Sequence, residues 1–152
     1  KIIGRLMKNK ERQWLPTFAE LIDRTSIHQL KEVFIPEHKQ KYAEELAAME
    51  HDMDLLIEQK DIKLSGKMLR AIIVTAQINA HIWYNESKVR SGESQDLTLL
   101  KLTHGLNGLR NASNNLVMDL VDETSRKDYK TDCLAAEFKD WKMSLLSDDD
   151  ES

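Results

Sequence analysis

Apolar side chains recur at spacings of three and four along most of this chain, the period of amphipathic helices. The stretch from Ile2 to Arg12 has that spacing, and Trp14-Leu15-Pro16 interrupts it. Pro16 suits the first position of a short helix through Asp23, because its fixed φ and missing N–H cost nothing there. Thr25-Ser26 reads as a restart, with Ser26 capping a helix through Phe34. Pro36 then opens a long helix to about Lys60, whose stripe is Tyr42, Leu46, Met49, Met53, Leu56 and Ile57. Asp61–Leu64 reads as a linker, and Ser65 caps a helix from Gly66 to Arg90 that stops at Ser91-Gly92. A third long helix is expected from near Asp96 to about Glu123, and a final one near Thr131–Leu146 carries Leu134, Phe138, Trp141 and Leu145.

Composition agrees with this pattern. A chain of 152 residues that is 41% hydrophobic and 32% charged can build one core, and 5 Gly and 2 Pro leave little turn punctuation for a sandwich or barrel. The fold class expected is all-α, a helical bundle of three long helices with shorter helices covering both ends. Residues 1–146 form its single domain, and 147–152 read as an acidic, disordered tail. No repeat of 30–45 residues is visible, which sets solenoids aside.

The net charge of −4 lies in that tail: Asp148, Asp149, Asp150 and Glu151 account for it, and the rest of the chain carries as many acids as bases. A neutral body disfavours nucleic acid as a partner, because phosphate neutralisation supplies most such affinity. The nearest basic arm, Lys1, Arg5, Lys8, Lys10 and Arg12, is interleaved with apolar residues and fits an ordinary helix face. The single cysteine, Cys133, cannot close an internal disulfide and suits a reducing compartment. Runs such as Ala71-Ile72-Ile73-Val74 are far shorter than the ~20 apolar residues that span a bilayer. Lys1–Met7 is too short for a signal peptide, so no membrane partner and a cytoplasmic location are expected.

One segment departs from helical economy. Between Leu99 and Leu120 the leucines keep a single face, yet Gly105, Asn107, Gly108, Asn111, Ser113, Asn114 and Asn115 sit inside the same helix. Such residues give up about 4–6 kcal/mol of propensity against alanine. Leu100, His104, Asn107, Asn111, Asn114 and Met118 line one side, and the preceding helix extends its stripe Leu69, Ile72, Ile73, Ala76, Ala80 and Trp83 with Asn79, Glu86 and Arg90. In an antiparallel hairpin turning near Glu93, residues whose numbers sum to about 187 face one another, within one helical turn. Asn79 then faces Asn107, Trp83 faces His104, and Ala76 lies near Arg110 or Asn111. The candidate ligand-binding set is therefore Asn79, Trp83, Glu86, Arg90, His104, Asn107, Arg110 and Asn111. Amides read the edges of a planar group, a guanidinium holds phosphate or carboxylate, and an indole stacks. Equally, the same residues can form a satisfied buried network that fixes helix register.

The pairing of Ile78-Asn79-x-x-x-Trp83-x-x-Glu86-x-x-x-Arg90 with Leu106-Asn107-x-x-Arg110-Asn111 resembles segments of small all-helical proteins of bacteria and their phages. The resemblance covers about 35 residues, implies an all-helical fold, and brings no activity with it.

Catalytic signatures are missing. No Glu stands three residues before any of His28, His38, His51, His81 or His104, as a di-iron bundle requires. No Glu-x-x-Glu accompanies Glu20/Asp23, Glu58/Asp61, Glu93/Asp96 or Glu137/Asp140, and Gly-rich phosphate loops and His-Glu-x-x-His are lacking. No catalytic residue, metal ligand or cofactor is assigned. The expected function is a non-catalytic, homo-oligomeric bundle holding a small anionic or nucleotide-like ligand, or a protein partner. Two alternatives stand beside it. One is a structural or inhibitory interaction module with the stripe as its register network. The other is a magnesium-dependent phosphate-ester or phosphoanhydride hydrolase using Glu44, Glu45, Glu50, Asp52 and Asp54.

Overall fold

A computed structural model describes residues 10–92, 97–127 and 144–146. The class is all-α. Helix α1 spans Phe18–Phe34, a 3₁₀ turn covers Pro36–His38, α2 spans Lys39–Gln59, α3 Gly66–Arg90 and α4 Leu97–Leu120. Further 3₁₀ turns lie at Thr124–Arg126 and Ser144–Leu146. The expected helices over Ile2–Arg12 and Thr131–Leu146 fall largely outside the described residues; 10–12 are not helical, and 144–146 form the last of these turns.

Local chemistry explains each boundary. Ser65 adopts an extended conformation and its hydroxyl accepts from Met68 N–H at 3.1 Å, so α3 begins where the sequence placed it. Pro36 opens the 3₁₀ turn before α2. At α1, Pro16 lies outside the helix and Thr17 is the cap: its side chain accepts from Glu20 N–H while the Glu20 carboxylate accepts from Thr17 N–H. The restart expected at Thr25-Ser26 does not occur. The Ser26 hydroxyl donates to Asp23 O at 2.7 Å within an unbroken helix.

Helices α2 and α4 end alike. After α2, Asp61 takes φ 49° and Ile62 N–H reaches back to Ile57 O at 3.0 Å. After α4, Asp122 takes φ 59° and Glu123 N–H reaches Met118 O at 2.8 Å. Both are Schellman stops with aspartate where glycine is usual. A left-handed Cβ costs roughly 1–2 kcal/mol, partly offset for Asp by local hydrogen bonding. Asp61→Gly is therefore expected to raise the melting temperature by ~2–4 °C, about 1 kcal/mol, read by thermal unfolding. Asp61 is exposed and its only ion pair among the described residues is the solvated contact to Lys63, so little is lost in exchange.

Helix α1, though the shortest of the four, is the centre of the bundle. It packs against α2, α3 and α4, whereas among the described helices α2 packs on α1 alone and α3 pairs with α4 most extensively. The core joins Phe18, Ala19 and Ile22 of α1 to Met68 and Ala71 of α3, Val117 and Met118 of α4, Val121 and Leu145. In α2 only Leu46 is buried, and Ile57, expected in its apolar stripe, is exposed. At the seam of α3 and α4, fully buried Thr75 donates to Ser113 Oγ at 3.1 Å, and Ser113 donates to Ala71 O at 3.0 Å. Small side chains let the two backbones approach, and each hydroxyl finds a partner.

That seam corrects the expected face of α3. Its buried positions are Met68, Ala71, Thr75, Ile78, Asn79, Ile82 and Asn85, while Leu69, Ile73 and Ala76 of the expected apolar stripe are exposed. Period alone does not choose between two faces, and the close approach to α4 selects the one with Ala71 and Thr75. On α4 likewise, Leu99, Leu102, Leu106, Leu109 and Leu116 are half-buried and Leu120 is exposed, the core being supplied by Ser113, Val117 and Met118. Among the described residues no helix is long and apolar enough to cross a membrane.

Candidate functional site

Asn79 is the centre of the polar constellation. It is 2% exposed, and its amide nitrogen donates to Asp23 Oδ1 at 2.6 Å and to Ser26 Oγ at 2.7 Å. Its amide oxygen accepts from Arg110 Nη1 at 3.3 Å. One side chain thus ties α1, α3 and α4 together. Both amide protons are used, and the oxygen holds the Arg110 guanidinium.

The hairpin register is close to the expected one. Thr75 meets Ser113, and Asn79 meets Arg110 rather than Asn107, a displacement of three residues, less than one turn. Ala76, expected near Arg110 or Asn111, is exposed.

The remaining site residues divide by position. His104, Asn107 and Asn111 are half-buried along one side of α4, next to Arg110 and Asn114. Trp83 is half-buried one turn beyond Asn79 on α3, and its carbonyl accepts from the Ser87 hydroxyl at 2.8 Å. Glu86 and Arg90 are not part of the Asn79 node. They are exposed and pair with each other at 3.6 Å as i and i+4, a contact of about 0–1 kcal/mol. The side chain of Leu100 lies outside the described residues.

Three buried polar atoms in and beside this region lack a hydrogen-bond partner among the described residues: Arg110 Nε, Asn114 Oδ1 and Asn85 Nδ2. Arg110 and Asn114 stand one turn apart on α4, one offering a donor and the other an acceptor.

A second polar cluster, which sequence reasoning missed, locks the beginning of α1. The Glu123 carboxylate accepts from Phe18 N–H at 3.0 Å and Ala19 N–H at 3.4 Å, with Lys60 Nζ at 3.9 Å. With the Thr17 hydroxyl receiving Glu20 N–H and the Glu20 carboxylate receiving Thr17 N–H, all four free donors at the start of α1, from Thr17 to Glu20, are satisfied. Arg126 then grips both oxygens of Glu20 at 2.9 and 3.1 Å, donates to Leu15 O at 2.8 Å, and lies 3.6 Å from the Trp14 ring centroid. The cluster is an anchor: a carboxylate at the positive end of a helix and a guanidinium closing the turn beside it.

Asp23 and Ser26 were missed for a traceable reason. Ser26 lies one turn beyond Ile22 and two beyond Phe18, a polar side chain on a buried face, but Thr25-Ser26 also has the composition of a helix start. Thr17-Phe18-Ala19-Glu20 carries the capping-box spacing, which the neighbouring Pro16 obscured.

The acidic side chains of α2 make no cluster suited to a cation. Glu45 pairs with His28 at 2.9 Å and Lys41 at 3.9 Å, Glu44 accepts from Gln40, and Glu50, Asp52 and Asp54 are exposed. Among the described residues no three His, Cys, Asp or Glu side chains are placed to hold a metal ion. Compared with known proteins, this chain matches no family model, no curated protein and no solved structure.

Proposed function

We propose that this chain is a non-catalytic helical interaction module whose asparagine-centred constellation sets helix register. The observation that carries this reading is the state of Asn79. Its two N–H donors are committed to Asp23 and Ser26 and its oxygen to Arg110, so little of the amide remains for a ligand. A satisfied polar node linking three helices has an established physical use, since any slip of one helix strands its partners. The exposed Glu86–Arg90 pair and the dispersed carboxylates of α2 support neither a closed ligand cage nor metal-assisted hydrolysis.

A second reading is favoured by one specific feature, the partnerless Arg110 Nε beside Asn114 Oδ1. A buried guanidinium donor without an acceptor is suited to a small anion, and rotation of the Asn114 amide would present a second donor to it. Native mass spectrometry of untagged protein purified gently from cells separates the two. The interaction-module reading predicts whole subunits, alone or assembled, without a small-molecule adduct. An adduct of a few hundred daltons per subunit that disappears in Arg110→Gln would replace that reading with the anion site.

A further inference from the structure

Helix α3 is apolar on two sides, and the described residues cover only one of them. Opposite the buried seam, Leu69, Ile73, Ala76, Ala80 and Tyr84 form a single line at spacings of four, three, four and four, about 22 Å long at 1.5 Å per residue. Leu69 is 45% exposed, Ile73 54% and Tyr84 60%; Ala76 is exposed and Ala80 half-buried. Scattered exposed leucines need no explanation, but an aligned stripe along most of a helix has the form of a contact surface.

The charge beside the stripe limits what can cover it. Arg70, His81 and Lys88 follow one edge, and α3 carries no Asp or Glu before Glu86, which is taken by Arg90. Lys88 sits over the Tyr84 ring at 4.5 Å, and Arg70 donates to the Ser144 hydroxyl at 2.9 Å. Neither makes an ion pair among the described residues. A second copy paired antiparallel is a poor occupant. In a two-fold antiparallel pairing the rotation carries this edge onto the same side of the interface, setting Arg70 toward Lys88, like charge against like.

We propose that the outer face of α3 docks an amphipathic helix of another protein whose apolar stripe is flanked on one side by acidic side chains. The proposal rests on the interaction-module reading and supplies the surface that reading needs. Apolar anchors would seat between Leu69, Ile73 and Tyr84, and carboxylates would meet Arg70 and Lys88, giving orientation more than affinity.

The test uses the full chain and two fluorescent helical peptides of about 18 residues, identical in their leucine stripe, one flanked by Glu and the other by Lys. Fluorescence anisotropy should show saturable binding of the Glu peptide, at least about tenfold tighter than the Lys peptide and weakened by salt. Ile73→Glu should abolish binding and leave thermal unfolding unchanged, because Ile73 already stands in solvent. Arg70→Glu/Lys88→Glu should reverse the preference. Failure of the Glu peptide to bind, equal binding of both peptides, or binding indifferent to Ile73→Glu would overturn the proposal. So would a dimer of the native chain that Ile73→Glu converts to monomer, which would assign the face to a second copy. None of these results bears on Asn79, so they leave the register network standing, whereas a ligand lost in Arg110→Gln would remove that reading on its own.

Discussion

Glu123→Ala is expected to lower the free energy of unfolding by about 3 kcal/mol, a fall of ~6–12 °C in melting temperature for a chain of this size. The Glu123 side chain is 4% exposed, and its two oxygens receive the N–H groups of Phe18 and Ala19, both buried. Alanine leaves two buried donors without acceptors, each costing ~1–3 kcal/mol, and withdraws a negative charge from the N-terminal end of α1. Glu123→Gln keeps one carbonyl acceptor but turns an NH₂ group toward a donor, so it should lose a smaller part of the same stability. Thermal and urea unfolding of the two variants give the comparison. No loss in Glu123→Gln beside a full loss in Glu123→Ala would mean that shape, and not hydrogen bonding to α1, is what Glu123 contributes.

Asn79→Leu is the second large effect. Leucine matches asparagine in size but offers nothing to Asp23 Oδ1, Ser26 Oγ or Arg110 Nη1. Leaving a partly buried carboxylate and guanidinium without their bridge should cost about 2–4 kcal/mol, read as a lower midpoint in urea. Helix content by circular dichroism should stay near that of the parent, because the apolar packing of Phe18, Met68, Ala71 and Val117 does not involve position 79. A midpoint unchanged within about 0.5 kcal/mol would show that the node contributes nothing to register.

What the sequence could tell follows from how local each determinant is. The span of α3 was legible because Ser65 and Gly92, at its two ends, act on residues within one turn of themselves. The pairing of α3 with α4 was legible to within a turn because a short connection leaves an antiparallel hairpin little freedom. The end of α4 was misplaced by three residues, since Asp122 carries a left-handed stop that composition assigns to glycine. The role of Glu123 was out of reach: its acceptors serve an amide 105 residues earlier in the chain. The face of α3 was misjudged for a different reason. Its aliphatic stripe is the more hydrophobic on paper, yet Ala71, Thr75 and Ser113 allow the closer helix contact, and close contact decided which side is buried.

The polar stripe shows the same division. Asn79 and Arg110 were singled out from sequence, and the two side chains do meet. Asp23 and Ser26, which complete the node from α1, were hidden behind a false helix boundary. Glu86 and Arg90 share a helix with Asn79 but end in solvent, because Arg90 finds its carboxylate one turn back on the same helix.

Helix register in this bundle turns on whether Asn79 is bound to α1 as an integral tie of the fold, and a double-mutant cycle measures that tie directly. Urea unfolding of the parent chain, Asp23→Ala, Asn79→Ala and the double variant should give a coupling energy of about 1–2 kcal/mol between the two side chains. Coupling near zero, with the two single losses simply additive, would contradict the register network and return Asn79 to the set of groups free to hold a ligand.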